Sequence, residues 1–179
     1  MFSNKTVFFL IGVLILILGI SMLIPYAVQL YSEEKSHRFG SASFITIFFG
    51  ILFVLANLEK EFKLNLQQTF LFTSLAWLMI AAFGSLPFLL SEENFSISDA
   101  FFESMSGITT TGATIIENLD ETPKSILLWR AILQWLGGIG IVVMAITILP
   151  LLNVGGMQLF KMEGPQATEK ILPRTLEVA

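Results

Sequence analysis

One uncharged, hydroxyl-rich segment of the chain has residue types that could bind a cation. It covers residues 108–114 and is β-branched apart from a glycine and an alanine. In extended backbone, the carbonyl oxygens of such a segment can face one axis and replace the water shell of a potassium-sized ion. Gly112 is where a positive φ would be easiest. We predict a filter of backbone oxygens at Thr109, Thr110, Thr111 and Gly112, with Thr110 and Thr111 as the expected K⁺ ligands.

A short helix is predicted directly before this filter, over about 97–106. Ser96 and Asp99 have the spacing of a capping box, an apolar run follows them, and Gly107 would supply the stop. Ten residues are too few to cross a membrane, but this run is apolar enough to enter one. A helix entering from outside points its carbonyl end, the negative end of its dipole, toward the bilayer centre. That orientation favours a cation there.

The connection that contains this helix and filter is acidic. It covers 91–124, and Lys124 is its only basic residue. Its acidic residues are Glu92, Glu93, Asp99, Glu103, Glu117, Asp120 and Glu121. They would raise the local concentration of cations, so we interpret the connection as the external mouth of a pore loop. The alternative is an amphipathic helix lying on the membrane surface; the position between two full spans favours the pore loop.

Long apolar stretches place the chain in a membrane. Hydrophobic residues make up 54% of the 179 residues and charged residues 13%, about half the charged share of a soluble domain. Charge-free gaps of 20 residues or more predict spans at about 7–24, 39–58 and 69–90, and a fourth span at about 126–152 has Arg130 near its start, followed by 30 uncharged residues. We expect an all-α integral membrane protein. The first span is too long for a signal peptide, and a kink or an end is expected near Leu23 because Pro25 follows.

Basic residues favour a cytoplasmic position for both termini. An even number of spans puts both termini on one side, and six basic residues lie on that side against four on the other. The six are Lys5, Lys60, Lys63, Lys161, Lys170 and Arg174.

Other function classes are disfavoured by composition. A soluble enzyme and a disordered chain do not fit so apolar a sequence, and a net charge of −4 does not suit nucleic-acid binding. The chain has no cysteine and one histidine, His37, which cannot build a zinc site alone. An intramembrane hydrolase is the weakest hypothesis, because the G-x-S-x-G spacing fails at Ser104. We expect no catalytic residue.

Two sets of residues are candidates for supporting the filter. Arg130 lies inside the fourth span, where a charged group suggests a function and a carboxylate partner, Glu103 or Asp99. The alternative is that Arg130 extends to the lipid headgroups. Glycines on the same span would allow close helix packing or a hinge, and packing is favoured; they are Gly137, Gly138 and Gly140.

Several motifs resemble one family of membrane proteins. Residues 106–114, 127–130 and 134–141 resemble the first pore loop and following helix of the Trk/Ktr/HKT potassium transporters, and bacterial Trk pore subunits are the most similar. Residues 155–160 and 173–175 resemble the cytoplasmic link to the next repeat in those proteins. The resemblance covers nearly the whole chain.

The resemblance implies a potassium-translocating subunit of the cytoplasmic (inner) membrane, built from four M1–pore–M2 repeats. This chain would contain two leading helices in 1–63, the first repeat in 64–156 and a cytoplasmic linker in 157–179. Each repeat gives one filter strand with one key glycine, here Gly112. The implied partners are membrane lipid and a cytosolic TrkA-like ring that binds NAD or ATP and gates the pore.

One filter strand supplies only a quarter of the carbonyl oxygens in a four-fold cage around the ion. Either four copies assemble, or the chain is part of a longer protein; we expect the second, and expect no transport by the chain alone. The alternative function is a non-conducting scaffold or regulatory fragment that associates with full-length pore subunits. Sodium permeation, and the choice between a channel and a symport mechanism, stay open.

Overall fold

The computed structural model describes residues 4–34, 37–58, 64–91 and 95–151. These residues form seven helices and no strand, which confirms the all-α prediction. The helices are α1 (Lys5–Ser21), α2 (Leu23–Tyr31), α3 (Arg38–Ala56), α4 (Leu66–Gly84), α5 (Leu86–Leu89), α6 (Ile97–Ile108) and α7 (Lys124–Leu151). The predicted linker 157–179, the link motifs at 155–160 and 173–175, and the charged residues 59–63 lie outside the described residues.

Four stretches of helix are long and apolar enough to cross a membrane, as the charge-free gaps predicted. They are Lys5–Tyr31, Arg38–Ala56, Leu66–Leu89 and Lys124–Ile146. The first contains the expected break, since α1 ends at Ser21 and α2 begins at Leu23. Pro25 has no N–H to donate to the carbonyl of Ser21, which explains a break four residues before the proline.

Helices α1 and α3 pack closely because glycines on each helix face the other helix. A Cβ atom added at Gly12 would lie 2.8 Å from the Cβ of Phe53, and one added at Gly50 would lie 3.0 Å from the backbone nitrogen of Leu16. The hydroxyl of Ser43 also donates to the carbonyl of Gly19 at 2.8 Å. In lipid, such close contact and buried hydrogen bonds hold helices together, because the surrounding tails are as apolar as the side chains.

Two compact units divide the chain, Met1–Ile141 and Val142–Ala179. The first contains six complete helices and most of α7. Of the second, the structure describes the C-terminal end of α7, as far as Leu151.

Trp129 is the largest fully buried side chain among the described residues. Its Nε1 donates to the carbonyl of Gly84 at 2.9 Å, and its ring meets the edge of Phe39 at a centroid distance of 6.2 Å. One side chain on α7 therefore joins the end of α4 to the start of α3. This is the packing role expected for a tryptophan whose N–H has a buried partner.

Replacing Trp129 by phenylalanine should lower the free energy of unfolding by about 2 kcal/mol, because the Gly84 carbonyl loses its donor and a cavity forms. The matched control is Trp135→Phe, since Trp135 is 68% exposed in the chain. Denaturant titration of the chain in detergent micelles measures both. Equal losses for the two variants would show that the buried hydrogen bond contributes nothing.

Candidate ion-binding site

The helix before the filter begins where the capping residues predict. The Ser96 hydroxyl accepts from the N–H of Asp99 at 3.2 Å, and the Asp99 carboxylate accepts from the N–H of Ser96 at 3.2 Å. Helix α6 then covers twelve residues, Ile97–Ile108. At 1.5 Å per residue this is roughly 18 Å, about half the depth of a bilayer core.

Helix α6 ends two residues later than predicted, and the expected stop at Gly107 is wrong. Gly107 lies inside the helix, where a Cβ atom would come 3.0 Å from the Cβ of Leu133 on α7. The helix ends at Ile108 with Thr109 as its C-cap, and the left-handed residue after the cap is Thr110, which has φ of 59°. The N–H of Thr111 bonds to the carbonyl of Ser106 at 3.1 Å, and the N–H of Thr110 to that of Gly107 at 3.0 Å. These two bonds define a Schellman motif.

The filter segment contains two residues in left-handed backbone conformation. Thr110 has φ of 59° and Gly112 has φ of 78°. Glycine adopts this conformation freely, but a β-branched residue there is strained, at about 1–3 kcal/mol. Such strain persists only where surrounding contacts hold the backbone. The unusual residue is therefore Thr110, whose residue type gives no sign of a left-handed backbone.

Side chains of α6 hold the far end of the filter segment against the helix. The Ser106 hydroxyl donates to the carbonyl of Ala113 at 2.6 Å. One carboxylate oxygen of Glu103 accepts from the hydroxyl of Thr114 and from the N–H of Ile115, both at 2.6 Å. Residues 111–115 therefore run back alongside the helix that precedes them.

The four residues between the end of α6 and Ala113, whose carbonyl is held by Ser106, are exposed. Thr109, Thr110, Thr111 and Gly112 all lie on the surface of the chain. Among the described residues, no hydrogen bond ends at the carbonyl oxygen of any of them, whereas the carbonyls of Ser106, Gly107 and Ala113 are all used. The threonine hydroxyls bond locally, with Thr109 donating to the Met105 carbonyl at 2.8 Å and lying 2.8 Å from the Thr111 hydroxyl. Four successive carbonyl groups are thus available to a ligand.

The carboxylate of Glu103 also pairs with Arg130. Its second oxygen lies 3.0 Å from Nε of Arg130; Glu103 is fully buried and Arg130 is 11% exposed. The N–H of that Nε is not directed at the oxygen, so the contact is an ion pair rather than a hydrogen bond. Asp99, the other candidate partner, caps α6 instead.

The three candidate glycines of α7 differ in their surroundings. A Cβ atom at Gly137 would overlap the carbonyl oxygen of Ile108 and lie 2.7 Å from its carbonyl carbon. At Gly138 and Gly140 an added Cβ would meet no described atom within 4 Å. Gly137 is therefore the position where α7 touches the last residue of α6, directly before the filter.

Acidic side chains lie beside the end of the filter segment, in an open pocket of about 460 Å³. Asp99, Glu117 and Glu121 are among its lining residues, together with Ile115 and Ile116. These carboxylates would attract cations to this end of the segment.

A carboxylate from the first half of the chain reaches the start of α7. Glu34 accepts from the hydroxyl of Ser125 at 2.5 Å and from its N–H at 3.3 Å. The turn between α2 and α3 therefore meets the start of α7. This contact and the roles of Ser106 and Thr114 are not visible in the sequence, because their partners are distant in the chain and meet only in the folded protein.

Comparison with known proteins decides the family. The family model described as "TrkH: Cation transport protein" matches residues 35–179. The chain belongs to the TrkH family. The resemblance predicted from 106–114 and the neighbouring motifs is thereby confirmed.

Relatives in the TrkH family align with nearly the whole chain. The Trk system potassium uptake protein TrkH of Vibrio parahaemolyticus is 41% identical over 179 residues, which cover 98% of this chain and 37% of the relative. The protein of the same name from Escherichia coli is 41% identical over 174 residues, covering 95% and 36%. Trk system potassium uptake protein TrkI of Halomonas elongata is 42% identical, covering 94% and 35%.

The fold agrees with a solved TrkH structure. The crystal structure of the potassium transporter TrkH from Vibrio parahaemolyticus superposes with a TM-score of 0.81 at 39% identity, and covers 87% of this chain and 34% of that one. The match lies in the N-terminal part of TrkH. The chain thus spans little more than a third of the length of these relatives.

Proposed function

We propose that the chain supplies one of four filter strands of a potassium-uptake protein in the cytoplasmic membrane, with both termini in the cytoplasm. The observation that carries this proposal is the row of four carbonyl groups at 109–112, which accept no hydrogen bond from any described residue and are exposed between two anchored ends. Backbone oxygens in such a row can replace the water shell of K⁺. The names of the TrkH relatives support potassium as the ion.

In this proposal each site residue has a distinct role. The carbonyl groups of Thr109, Thr110, Thr111 and Gly112 coordinate the ion, with Thr110 and Thr111 as the main K⁺ ligands. Helix α6 points its negative carbonyl end at the filter. Glu103 and Arg130 hold the strand that leaves the filter, and Gly137 lets α7 support the helix end. Gly138 and Gly140 leave room for further helices to pack.

The rest of the cage would come from further repeats of the same protein or from other copies of the chain. Residues 64–156 form the M1–pore–M2 repeat, after two leading helices in 1–63 and before a cytoplasmic linker in 157–179. Membrane lipid surrounds the spans. The family resemblance supports a cytosolic TrkA-like ring that binds NAD or ATP as the regulatory partner.

A graded series at Gly112 tests the filter. The test protein is a chimera in which this chain replaces the matching segment of the Escherichia coli relative, expressed in cells that lack other potassium uptake systems. Gly112→Val should lower Rb⁺ uptake about 5- to 30-fold, because a β-branched residue at φ of 78° costs about 1–2 kcal/mol or more.

Gly112→Asn is the matched control, since asparagine is of similar size but adopts left-handed backbone more readily. It should retain several times more uptake than the valine variant. The available space does not bias the comparison, because the nearest atom to an added Cβ is Nε2 of Gln134, at 3.7 Å. Unchanged uptake and ion preference in both variants would favour the non-conducting scaffold instead.

A further inference from the structure

The turn between α2 and α3 has the same architecture as the end of α6. The N–H of Glu34 bonds to the carbonyl of Gln29 at 3.2 Å, and the N–H of Glu33 to that of Leu30 at 3.3 Å. Glu33 occupies the left-handed position with φ of 52°. Glu33 and Thr110 are the only non-glycine residues with positive φ among the described residues. A non-glycine residue there is unfavourable, so the direction in which the chain leaves α2 is held by other contacts.

Those contacts converge on the carboxylate of Glu34. Its side chain is 13% exposed, and one oxygen lies 3.7 Å from the guanidinium of Arg38. The carboxylate bonds to both the N–H and the hydroxyl of Ser125, the second residue of α7. The first N–H groups of a helix have no partner within the helix, and an acid there interacts favourably with the helix dipole. Glu34 therefore caps α7 from a position 91 residues earlier in the chain.

From this cap, a continuous set of contacts leads to the filter. Arg130 follows Ser125 by five residues, or about 7.5 Å along a rigid helix. Trp129, beside it, is fully buried against Phe39 of α3. Arg130 pairs with Glu103, and Glu103 holds the N–H of Ile115. The placement of the first turn of α7 thus determines where the guanidinium meets the carboxylate that anchors the filter.

We propose that Glu34 is a positioning residue for the ion-binding segment, acting through Ser125 and α7 on the pair of Arg130 and Glu103. The inference rests on the proposed function, because it gives the leading helices a part in ion selectivity as well as in membrane anchoring. Among the described residues, the hydrogen bonds and ion pair of the Glu34 side chain are with Ser125 and Arg38, and none is with a filter residue.

Hydrogen exchange of backbone amides tests the mechanical part without any transport measurement. In the chain in detergent micelles, Glu34→Gln should speed exchange at Ser125 and also at Ile115, the latter by about threefold to tenfold. The control is Glu33→Gln, which removes the same charge one residue earlier from an exposed side chain with no described partner; it should change neither amide. Faster exchange at Ser125 alone would overturn the proposal, since the effect would then end at the helix cap.

Ser125→Ala gives a second, milder variant in case the Glu34 variant folds poorly. It removes the hydroxyl partner and keeps the carboxylate, and it should also speed exchange at Ile115. The double variant should change Ile115 no more than the larger single change, because both substitutions break one contact. Additive changes would mean that the two residues act independently, and would overturn the proposal.

Ion uptake by the chimera tests the functional part. Glu34→Gln should raise the Rb⁺ concentration for half-maximal uptake about threefold to tenfold, and Glu33→Gln should leave it unchanged. If Gly112→Val lowers uptake and Glu34→Gln does not alter this concentration, the positioning role is wrong and the filter stands. If Gly112→Val has no effect on uptake, the proposed function fails, and the amide exchange at Ile115 still decides whether Glu34 is coupled to this segment.

Discussion

Replacing Glu103 by alanine is expected to lower the free energy of unfolding by about 3–5 kcal/mol, the usual result of removing one partner of a buried ion pair. Glu103 is fully buried, and its loss would leave the Arg130 guanidinium nearly buried without a counter-charge. The hydroxyl of Thr114 and the N–H of Ile115 would lose their acceptor at the same time. We expect the filter segment to detach from α6 as well.

The measurement is denaturant titration in detergent micelles, combined with amide exchange at Ile115. Glu117→Ala is the control, because it removes an exposed acid from the same connection and should change stability by less than about 0.5 kcal/mol. A loss below 1 kcal/mol for Glu103→Ala, similar to the control, would show that this carboxylate anchors nothing.

A double substitution separates the stabilising role of this pair from its positioning role. Replacing a buried ion pair by apolar residues of similar size is often neutral or stabilising. Glu103→Leu combined with Arg130→Met should therefore recover most of the lost stability. It should not recover the slow exchange at Ile115, because leucine has no acceptor for that N–H. Recovery of both would mean that packing alone holds the filter segment.

Replacing Gly137 by alanine should displace the end of α6, because the added methyl group would overlap the carbonyl oxygen of Ile108. The position of the added Cβ is fixed by the backbone of α7, and the oxygen that it overlaps belongs to the backbone of Ile108. No side-chain rotation can therefore relieve the overlap. Overpacking of this kind typically costs about 1–3 kcal/mol, and here the adjustment falls on the residues directly before the filter. In the chimera we expect Rb⁺ uptake to fall at least as far as in Gly112→Val.

The neighbouring glycine is the matched control for stability. An added Cβ at Gly138 meets no described atom within 4 Å, so Gly138→Ala in the isolated chain should be neutral, or slightly stabilising through better helix propensity. Thermal unfolding of the two variants in micelles makes the comparison. Equal melting temperatures would contradict the close approach of α7 to Ile108.

Features that depend on a few neighbouring residues were predictable. The capping box of α6 needs only Ser96 and Asp99, three positions apart, and the structure has both of its hydrogen bonds. The break before Pro25 follows from one missing N–H. The end of α6 differs from the prediction because Gly107 has the residue type of a helix stop, whereas in the structure the side chain of Leu133 on α7 packs against that glycine and the left-handed position falls to Thr110.

The sequence by itself determined the number of candidate spans, the all-helical class and the family, because the bilayer requires long apolar stretches and because the motif at 106–114 is local. Only the tertiary structure decided which carboxylate meets Arg130, which glycine contacts Ile108, and that Glu34 caps α7. These partners are separated by 27, 29 and 91 positions. These pairs form only when the helices pack. The kind of side chain does not show which carboxylate, Glu103 or Asp99, meets Arg130. It also does not show which glycine, Gly137 or Gly138, contacts Ile108.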